Sequence, residues 1–441
     1  MKRSIMQNAL FALLIFGGNA NLVRAQDVSP AIEVSSSAKE PASFWDYSSR
    51  VKQALGLSGS LRAAHFDRDK SFSADRGFGV GGLWIQARPE EIWGIKTYLD
   101  GRLQGENLTR NDRVLGDLRE AYLEGSRGPW DFKVGRQITV WGRADKVNPT
   151  DVWSVRDFTL LTTDDEEQRT GLFATQIVYN LDSFRMIGLW QPEWRPPVFP
   201  LDLPSGVSIA QGLPKNRESQ WGLKLDRTGD DWDYSISYSR VLDRVPGLSV
   251  ISSGSAGTRL QFNYAPIEVW GADAATTLGQ YGLRAEVARV QTEDENGKDP
   301  LIRNSQVFAV LGLDRTFWGD LNINLQYIYR KNENFQSPDR VADPNLRFLA
   351  QQVGIISWGL TEEVHNASAR ISYKALNETL ESEIALVGWW NNGLIRPKVT
   401  YAVNDQLRMI AGAELFGGDL QSFFGRLKPT STGFFELRYL F

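Results

Sequence analysis

Charged side chains of both signs crowd one stretch of this 441-residue sequence. Arg143, Asp145, Lys146, Asp151, Arg156 and Asp157 follow Trp141-Gly142, and the acidic run Asp164-Asp165-Glu166-Glu167 comes next, beside Arg169. Lining a narrow passage, Arg and Lys would attract the anionic end of a solute and the acids its cationic end, lowering the cost of shedding water there. A connection as long as 141–170 is often functional rather than a plain link. Folded inward it predicts a constriction built from Arg143, Asp145, Lys146, Asp151 and Arg156; the alternative is an external, merely solvated loop.

Catalytic chemistry has much less to work with. The chain has no cysteine, which excludes disulfide scaffolds, thiolate metal sites and a thiolate nucleophile. Its two histidines, His65 and His365, lie in no motif with a mechanism, so no catalytic residue, metal or cofactor is expected. No glycine loop of the phosphate-cradling type is present, and a formal charge of -4 gives no field that would recruit nucleic acid.

The elements that must position the charged stretch repeat with a period of two. In WDYSISY, 232–238, Trp232, Tyr234, Ile236 and Tyr238 share one face, with Asp233, Ser235 and Ser237 on the other. LNINLQYIYR, 321–330, repeats the pattern, which only a strand can sort in this way. Similar segments occur at about 57–65, 79–89, 92–104, 117–126, 130–140, 171–180, 183–191, 219–227, 258–275, 281–291, 304–315, 365–375, 379–390, 394–403, 406–415 and 433–441. The links between them alternate short and long. Gly/Asn/Asp turns such as Trp318-Gly319-Asp320 alternate with stretches such as 141–170, 192–218 and 332–364, with one short link at Asn391-Asn392-Gly393 where a long one is due. A soluble sandwich also alternates along its strands, but strict short–long parity is the pattern of a transmembrane barrel. The fold class predicted is all-β, a closed antiparallel transmembrane β-barrel of about 18 strands, with 16 as the alternative.

Tryptophans near the strand ends, among them Trp130, Trp190, Trp221, Trp232, Trp270 and Trp318, suit the aromatic girdles of such a barrel. Strand parity turns Asp226, Glu286, Arg330, Glu383, Glu414, Glu436 and Arg438 toward the lumen, where many would simply pair across neighbouring strands. The proline-rich stretch 192–218 reads as an irregular external loop. The apolar runs Phe348-Leu349-Ala350 and Val353-Gly354-Ile355-Ile356 in 332–364 read as a segment that tucks into the lumen or binds something greasy.

At the N-terminus, Lys2 and Arg3, the apolar run 9–16 and the Val23-Arg24-Ala25 site give residues 1–25 the layout of a secretory signal peptide. Residues 26–56 are expected to be a periplasmic lead with a short amphipathic helix over Phe44 to Leu55, and 57–441 the outer-membrane barrel.

Three blocks resemble a porin-like outer-membrane family of Gram-negative bacteria with otherwise unassigned function. The first is Gly135-Arg136-Gln137, Trp141-Gly142, Ala144-Asp145 and Asn148-Pro149-Thr150-Asp151. The second is Gly271-Ala272-Asp273 with Ala275 to Gly279 and Tyr281-Gly282-Leu283-Arg284. The third is Ser422-Phe423-Phe424-Gly425-Arg426-Leu427 before Phe435 to Tyr439. The alternating end Phe435, Leu437, Tyr439, Phe441 resembles the C-terminal signal read by the barrel insertion machinery. The resemblance implies an outer-membrane barrel tied to passage of a solute or lipophilic compound, with no settled substrate, and supplies no catalytic residue. The expected function is therefore passive transport of small solutes, with outer-membrane lipid, the insertion machinery at Phe441 and a small-molecule solute as partners. The alternatives are a facilitator for hydrophobic compounds and a structural or adhesive barrel with a blocked lumen.

Overall fold

The computed structural model describes residues 44–68, 77–106, 113–145, 147–199, 205–212, 219–254, 257–389, 392–419 and 421–441. The signal-peptide stretch lies outside them. Contacts divide the chain into residues 1–48 and 49–441. Helix α1 covers Phe44–Leu55. No helix among the described residues is long and apolar enough to cross a membrane.

Twenty-three strands follow among the described residues. They are β1 (Leu57–Arg68), β2 (Gly77–Ala87), β3 (Ile95–Glu106), β4 (Arg113–Arg127), β5 (Trp130–Gln137), β6 (Val155–Arg156), β7 (Arg169–Thr170) and β8 (Leu172–Leu181). Next come β9 (Phe184–Gln191), β10 (Val207–Gln211), β11 (Gln220–Arg227), β12 (Trp232–Leu242), β13 (Gly247–Gly254), β14 (Gly257–Asn263), β15 (Pro266–Leu278) and β16 (Tyr281–Gln291). The last are β17 (Gln306–Phe317), β18 (Leu321–Asn332), β19 (Glu363–Ala375), β20 (Leu380–Trp389), β21 (Asn392–Ala402), β22 (Leu407–Gly417) and β23 (Thr432–Leu440). Eighteen of them form one antiparallel sheet that closes on itself where β23 pairs with β1. At this seam Gly59 and Phe441 exchange backbone hydrogen bonds, both 3.1 Å. A Cβ on Gly59 would stand 2.7 Å from the Phe441 ring, so the closing residue needs glycine opposite it.

The barrel therefore has the 18 strands expected, and closure leaves its sheet no unpaired edge. Tight turns gather at one end. In Trp318-Gly319 both residues have positive φ, 51° and 84°, the primed-turn geometry that matches strand twist. Side chains alternate as the sequence demands: on β11, Trp221, Leu223 and Leu225 face outward and exposed, while Gln220 and Asp226 are buried inside. Outer-face rings cluster near the long-loop end, with Trp221, Tyr238 and Trp270 in successive contact at 5.3 and 4.4 Å. Trp130 and Tyr179, 4.6 Å apart, lie near the turn end. Rings thus gather near both ends of the barrel's outer face, where girdles are expected on a barrel of this kind.

At the long-loop end the chain departs from the reading of 192–218 as irregular and of 258–275 as one strand. β10 pairs in parallel with β14, which pairs antiparallel with β13, in a small sheet separate from the barrel. The 258–275 segment is two strands, broken at Tyr264-Ala265, because Pro266 opens β15 without an N–H to offer. Helix α2 (Pro344–Ser357) starts on the Asp343 carboxylate, which accepts from the Asn345 and Leu346 N–H groups, and stops at left-handed Trp358. Its Leu349 and Val353 pack on Leu248, Leu260, Phe262 and Tyr264. That packing, rather than the lumen, buries most of the apolar run in 332–364.

Candidate functional site

Residues 138–171 leave β5 and fold against the inner wall of the barrel. At the entry, the Ile138 N–H donates to Glu120 (2.9 Å); at the exit, the Gly171 N–H donates to the Arg119 carbonyl (3.0 Å). Between these points the segment is fixed by ion pairs and apolar contacts to strands on several sides of the lumen.

Its first anchor is β16. The Glu286 carboxylate accepts the backbone N–H of Arg143 (3.0 Å), Ala144 (3.1 Å) and Thr150 (2.8 Å) and the Thr150 hydroxyl (2.8 Å). Gly142, at φ +102°, makes this possible: a Cβ there would sit 2.5 Å from the carboxylate. Arg143 then places one guanidinium nitrogen on Asp273 of β15 and the other 2.5 Å from Asp226 of β11. Asp273 also receives the Ser235 hydroxyl and lies 3.7 Å from Lys224. Beneath this polar anchor, Trp141 and Trp153 meet edge to face at 5.3 Å and pack on Leu189, Val241, Ile267, Val269, Ala288 and Val290 of the wall. Gly222 and Gly271 give them room: a Cβ at either would come within about 2.5 Å of Trp153 or Thr150. The first two sequence blocks thus meet face to face in the lumen.

The far half of the loop is held from other strands. Arg62 of β1 reaches Glu167 at 2.7 Å. Arg102 of β3 donates to the Glu167 carbonyl, and Arg119 of β4 to the carbonyls of Glu166 and Arg169, both 3.2 Å. Arg396 of β21 pairs with Asp165, and Arg438 of β23 donates to the Thr163 hydroxyl (3.0 Å), which in turn donates to Glu436 (3.1 Å). Leu161 closes this side against Phe66, Phe78, Val80, Ile410 and Phe434. Asp145 faces the remaining arc, 3.3 Å from Arg370 of β19.

The five residues read from the sequence therefore have different surroundings. Arg143 is neutralised by two wall carboxylates; burial pulls its pKa down, but these acids more than offset that and leave it above its ordinary value. Asp151 is taken up by Arg169 (2.6 Å) and Ser154 (3.0 Å). Arg156 has Glu166 at 3.6 Å and the Asp165 carbonyl at 3.2 Å, and burial, then the nearby Arg169 charge, hold its pKa below the ordinary value. Asp145 and Arg370 keep partly exposed side chains, 23% and 32%. Lys146 lies outside the described residues.

Sequence reading had already turned Asp226, Glu286, Glu436 and Arg438 inward. It missed Asp273, Arg102, Arg119, Arg370 and Arg396, although alternation with Ile395, Pro397 and Val399 does point Arg396 inward. Arg119 is the extra residue of a β-bulge, skipped where Asp100 pairs with Glu120 and Gly101 with Leu118, so strict parity misplaces it. No group of three His, Asp or Glu among the described residues is arranged to hold a metal.

The model of a family described as a protein of unknown function (DUF1302) matches residues 87–341, more than half of the chain. The chain belongs to this family. The match takes in the whole 138–171 loop of the DUF1302 barrel and its anchors on β11, β15 and β16. Among solved structures, a mutant Rh. blastica porin is 11% identical at a TM-score of 0.40, covering 87% of this chain and 99% of that one. A Salmonella typhi OmpF, in complex with daunomycin, is 11% identical at a TM-score of 0.43, covering 88% and 97%. No curated protein matches the sequence. At that distance from the porins, the fold of this DUF1302 barrel rests on its own strand pairing.

Proposed function

We propose that this protein is a porin-like channel of the Gram-negative outer membrane, through which small solutes diffuse passively, with the 138–171 loop as its constriction. The observation that carries the reading is the anchorage of one loop to opposed parts of the wall: Arg143 on β11 and β15, Asp165 on β21, Glu167 on β1 and Asp145 on β19. A wide barrel whose lumen is narrowed by a fixed loop can choose among solutes. Two sides of the loop are sealed by apolar packing, so the polar arc with Arg370, Glu383 and Lys398 on β19 to β21 is the side proposed to carry water and solute. Passage would be downhill and calls on no catalytic or energy-coupling group. Outer-membrane lipid at the outer face and insertion machinery reading the end at Phe441 belong to the same proposal.

Planar-bilayer recording of the refolded chain tests it. The intact protein should give small, stable open steps, and replacing 143–166 by a short glycine-serine linker should give larger ones. A heat-modifiable, correctly folded barrel that is silent in both forms sinks the channel reading.

A further inference from the structure

Between the loop, the barrel wall and the outer cap lies a cavity of about 350 Å³, within the size range of small-molecule sites. Its walls come from separate parts of the chain. Phe158 belongs to the 138–171 loop, Phe199 to the link after β9, Phe308 to β17, Trp358 to the end of α2, and Phe423 to helix α3 (Phe423–Leu427). The rings are already stacked into walls: Phe158 lies parallel to Phe199 at 5.6 Å and 11°, and Trp358 lies 5.1 Å from Phe423. Phe158 is nonetheless 43% exposed. Flat apolar surface is therefore on offer inside the barrel.

The charges around that surface do not balance. Arg156, Arg244, Arg303 and Arg330 line the cavity, against Asp151 and Asp243. Both acids are committed, Asp151 to Arg169 and Asp243 to Arg303 in a two-bonded pair. Among the described residues Arg244 hydrogen-bonds only to neutral oxygens, the carbonyls of Arg195 and Trp153 and the side chain of Gln220, at 3.2 to 3.4 Å, while Asp243 and Asp151 act on it without forming an ion pair. Arg330 has neither a hydrogen bond nor an ion pair among the described residues. Its guanidinium lies over the Phe308 ring at 4.0 Å and near Trp358 at 5.5 Å. The Nε of each of these two arginines is buried without a hydrogen-bond partner among the described residues. An aromatic face offsets part of the cost of a desolvated cation, but an anion does so more fully. Two guanidiniums without an ion pair, beside stacked rings, select a ligand with an anionic end and a flat apolar body.

We propose that this cavity binds an amphipathic carboxylate, with the anionic end near Arg330 and Arg244 and the apolar body against Phe158, Phe199 and Trp358. This names a solute class for the channel and rests on that reading for its transport sense; binding itself is measured apart from conduction. The probe is 2-naphthoate, titrated by calorimetry into the full-length barrel in nanodiscs, with 2-naphthylmethanol as the uncharged control. Wild type should bind the acid at least tenfold more tightly than the alcohol. Arg330→Gln should remove that preference while keeping heat-modifiable migration, and Arg330→Lys should restore part of it. Phe158→Ala should weaken both probes together. Equal binding of acid and alcohol, unchanged by Arg330→Gln, would mean partition into lipid or grease and overturns the proposal, as does no binding of either. A barrel that conducts but does not bind sinks this inference alone; one that binds but never conducts sinks the channel alone. Should Arg330→Gln fail to fold, Arg244→Gln puts the same question to the second cation.

Discussion

The carboxylate of Glu286 on β16 accepts both the backbone N–H and the hydroxyl of Thr150, each at 2.8 Å, across 136 residues of sequence. A buried carboxylate satisfied mainly by backbone donors fixes a loop conformation rather than a side-chain choice. It takes up three N–H groups that water could not easily reach, and leaving such a donor unmet costs roughly 1–3 kcal/mol each. Glu286 is therefore the pin on which the near half of the 138–171 loop turns.

Removing the pin should free the loop and spare the barrel. Glu286→Ala is expected to raise single-channel conductance and to speed protease cleavage within 143–151, with the heat-modifiable barrel band unchanged. Glu286→Gln keeps an acceptor oxygen and should fall between the two. Conductance and cleavage identical to wild type in Glu286→Ala would show that the hydrogen bonds at Thr150 do not hold the loop.

The pairing of Arg143 with Asp273 and Asp226 changes what a charge reversal there should do. Because both guanidinium edges are occupied, Arg143→Glu would set three carboxylates against one another and expel the segment, rather than recharge an intact pore. Removing one partner of a buried pair costs about 3–5 kcal/mol. Larger, noisier steps with little lasting ion preference are expected, and Asp273→Asn should give a milder form. A clean shift in anion/cation preference at unchanged conductance would place Arg143 in the solute path instead.

Gly142 separates backbone shape from charge. Gly142→Ala leaves every ionisable group in place, yet it forces a Cβ to 2.5 Å from the Glu286 carboxylate at a φ that L side chains rarely adopt. Strain of this kind costs about 1–3 kcal/mol before the clash is counted. It should reproduce the Glu286→Ala phenotype in cleavage and conductance. Wild-type behaviour in Gly142→Ala would mean that the loop has slack at its first turn.

The barrel was legible because burial of alternate side chains writes itself into every strand: Trp232, Tyr234 and Ile236 announce a lipid face wherever they occur. The loop's contacts were not. Arg143 carries no local sign that its partners lie 83 and 130 residues away on Asp226 and Asp273. Asp273 was hard to see among Gly271, Ala272, Ala274 and Ala275, small residues that give no alternation to count. Arg119 was hidden by a bulge, which sequence parity does not register. The cap sheet was missed for a related reason. Its strands, β10, β13 and β14, are short and packed on α2, so β13 and β10 lack the outward apolar row that marks the barrel strands.

Ion selectivity, in this reading, is set where loop and wall charges remain partly in water, at Asp145 and Arg370. Their pair is 3.3 Å long with both side chains partly exposed, so each still acts on a passing ion. A pair of this exposure is worth at most about 1 kcal/mol, or roughly fivefold in a ratio. Arg370→Glu should shift reversal potentials in a salt gradient toward cations by up to that factor, and Asp145→Asn toward anions by less. Raising the salt should shrink both shifts, because charges in contact with water are screened within about 10 Å at 0.1 M. If neither substitution moves the reversal potential at low salt, the polar arc of β19 to β21 is not the conducting side.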